Sequence, residues 1–117
     1  MNNRDVDVLR HIVCYCAEIE EAKAIFGDSQ ENLQANNVYK NAVAMCIIQI
    51  GELTGHLSDE FKAMYNHLPW RDIKGMRNIA THNYGRLDTQ KLYETTVDDI
   101  PVLREFCEIT ISEFTQN

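Results

Sequence analysis

Apolar residues recur every three or four positions along most of the chain, which is the spacing of one face of an α-helix. This pattern predicts a first helix over about residues 5–26, ended by Gly27, and a second long helix over about residues 37–57. A short helical turn over about residues 30–35 is expected between them. Because the stretch 42–50 is apolar on nearly every side, the second long helix is predicted to lie at the centre of the protein.

Two further helices are predicted in the middle of the chain. The segment "LSDEF" combines a capping serine with acidic residues that favour a first helical turn, so a short helix is expected over about residues 59–65. Pro69 and Trp70 begin a fourth helix, because proline is well tolerated at a helix start, and Gly85 ends it.

The last segment is helical with an internal interruption. Asp88 is the predicted N-cap, and Pro101 inside the apolar pattern predicts a kink or break near residues 98–100. No stretch alternates apolar and polar residues for long, as a half-buried strand would. The fold is therefore predicted to be all-α, an up-and-down bundle of about five helices forming a single domain over residues 1–117.

Composition places this bundle among ordinary globular proteins, with 44% hydrophobic and 25% charged residues. No window approaches the apolar length of a membrane span, and the N-terminus lacks the apolar core of a signal peptide, so we expect a cytoplasmic protein without membrane association. The cysteines match neither paired zinc spacing nor a disulfide framework and are expected to be small core residues. They are Cys14, Cys16, Cys46 and Cys107.

Charge is distributed unevenly along the chain. The net charge is −7, which argues against a general nucleic-acid coat. Residues 61–92 nevertheless carry six basic and two acidic residues, a local charge of +4, whereas the remainder carries −11. We call residues 61–92 the basic segment.

The basic segment contains Arg77, Asn78, His82 and Tyr84 within the stretch "MRNIATHNYG". In a helix Asn78 and His82 share a face, so the amide can orient the imidazole. Arg77 and His82, five positions apart, diverge by about 140° on an ideal helix. Either the helix loosens before His82, or the two side chains flank a cleft from its two sides.

These residue types suit the cleavage of a phosphodiester bond. A histidine can remove the proton of a ribose 2′-hydroxyl or protonate the departing 5′-oxygen, and an arginine can bind the phosphate through paired hydrogen bonds. Such chemistry requires no metal, and the best metal-ligand pair, Glu52 and His56, lacks a second such pair. The alternative is that the motif only caps a helix, with the tyrosine ring packed beside it.

The stretch "RNIATHNY" resembles the Arg-x4-His-x-Tyr motif of HepT-like toxins, members of the HEPN superfamily of helical ribonucleases. The resemblance extends through "LPWRDIKGMRN" and through "IIQIGELTGHLSDEF" in the central helix. It is specific over about residues 47–84 and is a matter of pattern elsewhere, including the "TTVDDIPVL" stretch with its internal proline.

The resemblance implies an RNA-cleaving homodimer that uses neither metal nor cofactor, with two motifs meeting in a composite cleft at the subunit interface. By motif position, Arg77 would bind the scissile phosphate and His82 would be the acid or base. Asn78 would orient or polarise the reacting groups. The expected partner is a nucleotidyltransferase-fold (MntA-like) antitoxin that transfers AMP to Tyr84. This modification would place bulk and negative charge where the RNA phosphate must bind.

Further contacts with RNA are expected within the basic segment. Arg71, Lys74 and Arg86 are candidate phosphate contacts, or else surface residues that are solvated or paired with Asp72 or Asp88. Trp70 could stack a base but is better explained as the core anchor of its helix. Two other functions stay open at this point: a non-catalytic HEPN-like nucleotide-binding or regulatory partner of a nucleotidyltransferase, and a purely structural dimerisation bundle.

Overall fold

The computed structural model describes residues 2–81 and 88–116, except for the side chains of residues 79–81. In chain order its elements are α1 (Asn3–Phe26), α2 (Gln30–Ala35), α3 (Asn37–Thr54), α4 (Asp59–Met64), α5 (Trp70–Thr81), α6 (Thr89–Glu94), a π-helical segment (Thr95–Asp99) and α7 (Ile100–Thr115). No strand occurs in these two described ranges. The all-α prediction is confirmed, and the predicted end of the fourth helix at Gly85 lies outside the described residues.

Side-chain oxygens cap the starts of five helices. Each accepts a hydrogen bond from a backbone N–H in the first turn, which would otherwise lack a partner within the helix. The capping residues are Asn2, Ser29, Asn36, Ser58 and Asp88. At the other end of α1, Gly27 has a positive φ of 100° and its N–H donates to the Lys23 carbonyl over 2.9 Å. The predicted helix end at Gly27 and the predicted N-cap at Asp88 are both confirmed.

The predicted break before Pro101 takes the form of the π-helical segment. Pro101 lies in the first turn of α7, where its missing N–H costs no helical hydrogen bond. The hydroxyl of Thr95 donates to the Lys91 carbonyl over 2.9 Å. The buried ammonium of Lys23 donates to the carbonyl of Thr96 over 3.3 Å. Hydrogen bonds therefore connect the π-helical segment both to α6 and to α1.

Helix α3 lies at the centre of the bundle, as its apolar run predicted. It packs against α1 on one side and α5 on another, while α7 packs against α1. Its core side chains include Tyr39, Val43, Ile47 and Ile50, all fully buried. Within the described part of the chain, no helix is long and apolar enough to cross a membrane.

Three of the four cysteines are core residues, as expected, but the expectation was wrong for Cys14. Cys16, Cys46 and Cys107 are buried, and burial raises the pKa of the Cys16 and Cys46 thiols to about 12. Cys14 is exposed. It lies two positions before Cys16 on α1, about 200° around the helix, and so points away from the core.

Helix α5 is fixed at its start by aromatic packing. The Trp70 ring lies 5.8 Å from that of Phe61 and 5.8 Å from that of Phe106, measured between centroids. Its indole N–H donates to the Tyr65 carbonyl over 3.0 Å. Trp70 is therefore the anchor that the sequence favoured.

Farther along, α5 makes a close backbone contact with α3 at Gly51. A Cβ atom added to Gly51 would lie 3.1 Å from the Cβ of Arg77, 3.1 Å from the carbonyl oxygen of Lys74 and 3.2 Å from the amide nitrogen of Arg77. Two of these three atoms belong to the backbone, which cannot rotate out of the way. The absence of a side chain at Gly51 thus lets Arg77 sit at the crossing of the two helices.

This contact predicts opposite effects for two glycine-to-alanine changes. Gly51→Ala should lower the free energy of unfolding by about 1–3 kcal/mol, because the added methyl group overpacks the helix crossing. Gly75→Ala should raise it by about 1 kcal/mol, because Gly75 lies within α5 with nothing within 4 Å of an added Cβ, and alanine favours the helix. Urea unfolding followed by circular dichroism measures the free energy of unfolding of both variants. Equal changes in this free energy for the two variants would contradict a close contact at Gly51.

Candidate active site

Arg77 is positioned by two neighbouring residues of α3. Its Cβ packs against Gly51, and its guanidinium Nη1 donates to the Oε1 atom of Glu52 in a salt bridge. The Arg77 side chain is 40% exposed and that of Glu52 is 47% exposed. The pair therefore lies at the solvent edge of the seam between α3 and α5.

A cleft of about 760 Å³ lies between α5 and the segment that joins α6 to α7. Buried side chains of Ile73, Met76 and Leu103 contribute to its lining. Its volume falls within the range usual for ligand-binding clefts, roughly 300–1,000 Å³. An apolar base with polar walls is the common form of such sites.

The structure brings four of the predicted site residues to this cleft. Arg71, Lys74, Arg77 and Asn78 all line it, and Lys91 adds a further basic group. Arg71, Lys74 and Asn78 are spaced three and four positions apart, so α5 presents them on one face. The other predicted site residues, His82, Tyr84 and Arg86, lie outside the described residues.

An acidic wall faces these basic residues. It consists of Asp98 and Asp99 from the π-helical segment. Asp72 is a further acidic residue that lines the cleft, but it belongs to α5 itself. Desolvation, with the nearby Asp98 as a smaller cause, raises the pKa of the Asp99 carboxyl above its ordinary value. Counting charge along the basic segment missed Asp98 and Asp99, because only the folding of the chain brings them against α5. The cleft is thus mixed in charge, with its basic groups on α5 and at Lys91.

Glu52 is a further residue, beside Lys91, Asp98 and Asp99, that the sequence did not place at this site. The sequence indicated it only together with His56, as part of a possible metal site. In the described part of the chain, no three His, Cys, Asp or Glu side chains come together as a metal-ligand group. The available signal was its position directly after Gly51 in the "IIQIGELTGHLSDEF" stretch, since a residue beside a close helix crossing can reach the partner helix.

The arrangement is suited to binding a phosphate group. A guanidinium remains charged at all ordinary pH values and offers several N–H donors in one plane, which match the oxygens of a phosphate. Arg71 and Lys74 are exposed on the same helix and extend the positive surface beyond Arg77. A phosphodiester chain laid along α5 would meet these groups in succession.

Comparison with known proteins agrees with this chemistry. The Ribonuclease HepT-like family matches residues 15–109 of the chain. The chain is 29% identical over 111 residues to "Putative RNase MJ1380" of Methanocaldococcus jannaschii, covering 93% of this chain and 99% of that protein. It is 30% identical over 97 residues to "Putative RNase TTE0752" of Caldanaerobacter subterraneus, covering 83% and 85% of the two chains.

A shorter match, 33% identical over 63 residues, is to "Probable ribonuclease HepT" of Thermococcus cleftensis, covering 54% of this chain and 57% of that protein. No solved structure matches the chain. The fold and the motif define an all-α protein of the HEPN type. The chain belongs to the HepT-like ribonuclease family, as the resemblance of its motif indicated.

Proposed function

We propose that this protein is a metal-independent endoribonuclease, the toxin of a type II toxin-antitoxin system, which cuts RNA in a composite cleft of a homodimer. The observation that carries the proposal is the position of Arg77. In a chain of the HepT-like ribonuclease family, the first residue of the motif lines a cleft together with Asn78, Arg71 and Lys74.

The proposed reaction uses the ribose itself as the nucleophile. The 2′-oxygen attacks the neighbouring phosphorus, and the bond from phosphorus to the 5′-oxygen breaks, which leaves a cyclic phosphate and a free 5′-hydroxyl. His82 accepts the proton of the 2′-hydroxyl or supplies one to the departing 5′-oxygen, and water exchanges the proton of the other step. Arg77 binds the phosphate and stabilises the charge that develops on it, while Asn78 orients or polarises the reacting groups.

The dimer is part of the proposal because of the spacing of the motif. Arg77 and His82 diverge by about 140° if the helix is ideal between them. Two copies of the chain related by a twofold axis present the same surface to each other, so an arginine of one copy can meet a histidine of the other. The composite cleft then contains two copies of the motif.

Arg77→Ala and His82→Ala should each reduce RNA cleavage by roughly 100-fold or more, which is the usual cost of losing a charge-stabilising group or a general acid or base. Cleavage of fluorescently labelled RNA by the purified variants measures this. Arg104→Ala and His56→Ala are the matched controls, because Arg104 pairs with Glu108 on α7 and neither residue is among the described residues lining the cleft.

Both active-site variants should keep the circular dichroism spectrum and the dimer mass of the wild type. Undiminished cleavage in either variant would contradict the assigned roles. A wild-type protein that binds a nucleotidyltransferase or a nucleotide, yet leaves varied RNAs intact, would favour the non-catalytic regulatory function instead.

Arg71→Gln and Lys74→Gln should weaken RNA binding and reduce its salt dependence. Each phosphate contact that is lost lowers the slope of log affinity against log salt by about 1. Fluorescence anisotropy with a 2′-O-methyl RNA, which lacks the nucleophilic hydroxyl, measures binding without cleavage. Lys62→Gln is the matched control, because Lys62 lies in α4 and is not among the described residues lining the cleft. Equal slopes for all three variants would contradict the proposed path of the RNA.

For regulation, we propose that a nucleotidyltransferase-fold antitoxin transfers AMP to Tyr84. The phenolic oxygen would attack the α-phosphorus of ATP, forming the ester bond and releasing pyrophosphate. The added group would bring bulk and negative charge to the motif and so oppose RNA binding. The position of Tyr84 in the motif, two residues after His82, supports this assignment.

Intact mass of protein produced with and without the antitoxin tests this modification. We expect a mass gain of one or more AMP units that maps to Tyr84, disappears in Tyr84→Phe and persists in Tyr93→Phe. Tyr93 is a suitable control because its hydroxyl donates to Asp28 over 2.9 Å, in a separate interaction. AMP attached to another residue, or no mass gain at all, would contradict the proposal.

A further inference from the structure

Glu52 contacts the arginine of the motif from the neighbouring helix α3. Its carboxylate accepts a hydrogen bond from Nη1 of Arg77, and it is not among the described residues that line the cleft, whereas Arg77 is. We propose that Glu52 is a positioning residue that orients the Arg77 guanidinium for phosphate binding. The inference rests on the ribonuclease function proposed above.

Stabilisation of the fold does not account for this ion pair. Both side chains are close to half exposed, and pairs of this kind contribute little to folding because water screens them. The pair is instead distinguished by its location, since it joins α3 to α5 directly beside the Gly51 crossing. The exposed pair of Arg104 and Glu108, by contrast, joins two residues of α7 alone.

Arg77 is thereby restrained at both ends of its side chain. Gly51 packs against its Cβ and its backbone nitrogen, and Glu52 contacts the tip of the guanidinium. The guanidinium is planar, so fixing one nitrogen against a carboxylate also fixes the directions of its other N–H groups. An arginine that is already oriented loses less conformational freedom when it stabilises the charge that develops on the phosphate in the transition state.

The position of Glu52 also bears on whether it helps Arg77 to bind the phosphate or competes with the phosphate for Arg77. A carboxylate inside the cleft would compete with the phosphate and would have to be displaced. Glu52 belongs to α3 and is not among the described residues that line the cleft, whereas Arg77 lines the cleft and makes this contact in the same structure. Removing the charge of Glu52 should therefore slow the reaction, whereas it would speed the reaction if Glu52 were an inhibitory latch.

The test compares Glu52→Gln and Glu52→Ala with the matched control Glu108→Gln in the full-length protein. For Glu52→Gln we expect kcat to fall roughly tenfold, a loss of about 1.4 kcal/mol in transition-state stabilisation. KM should be unchanged or lower, because the loss of a negative charge leaves more positive potential for RNA. Glu52→Ala should lose more kcat than Glu52→Gln, since the amide oxygen of glutamine can still accept a hydrogen bond from Arg77.

Readouts other than activity separate positioning from a structural role. The thermal midpoint of Glu52→Gln should equal that of Glu108→Gln, and its affinity for 2′-O-methyl RNA should not be weaker than that of the wild type. Glu108→Gln should keep wild-type kcat. A Glu52→Gln variant with wild-type or higher kcat, or one whose activity loss is matched by its loss of folded protein, would overturn the inference.

This failure is distinguishable from failure of the proposed function. If Arg77→Ala stops cleavage while Glu52→Gln does not slow it, only the role of Glu52 is wrong. If the wild type cleaves no RNA, or if Arg77→Ala cleaves as fast as the wild type, the ribonuclease assignment to Arg77 is wrong and the inference about Glu52 is overturned with it.

Discussion

The close approach of α3 and α5 at Gly51 is the constraint on which the site depends. A side chain at this position would be crowded by the backbone of α5, and the residue that Gly51 meets there is Arg77. Trp70 fixes the start of α5, and the contact with Gly51 fixes its middle. These packing contacts determine the direction of the helix without any contribution from the functional side chains. Helix packing thus determines the position in the fold of Arg77, the first residue of the motif.

The charge of the cleft follows from a second feature, the irregular backbone before Pro101. The π-helical segment brings Asp98 and Asp99 opposite the basic face of α5, so the cleft is less positive than the basic segment alone. A wall of this kind opposes indiscriminate attraction of nucleic acid, which agrees with the overall charge of −7. Under the proposed function, RNA binding then depends on groups in defined positions, chiefly Arg77 with the basic residues of its helix.

Features that depend on local sequence could be predicted, and features that depend on distant contacts could not. Helix periodicity and capping residues predicted the helices, and Pro101 predicted the break before α7. Each of these signals acts through neighbouring residues in the chain. The motif placed Arg77 and Asn78 in a candidate site, and both line the cleft. The salt bridge to Glu52 and the acidic wall could not be foreseen, because both require knowing which helices pack together. Cys14 was misjudged because an apolar neighbourhood in sequence does not fix the face on which a residue lies.

In the proposed mechanism the protein cuts RNA through the ribose hydroxyl, with Arg77 and His82 supplying what a metal would otherwise supply. The most direct measurement is cleavage of a labelled oligonucleotide in the presence of excess chelator, with identification of the new ends by mass spectrometry. Attack by the 2′-oxygen should leave a 2′,3′-cyclic phosphate and a 5′-hydroxyl, and no cleavage is expected when the ribose at that position is replaced by deoxyribose. A 5′-phosphate product, cleavage of the deoxy substrate, or activity that requires a divalent cation would contradict it.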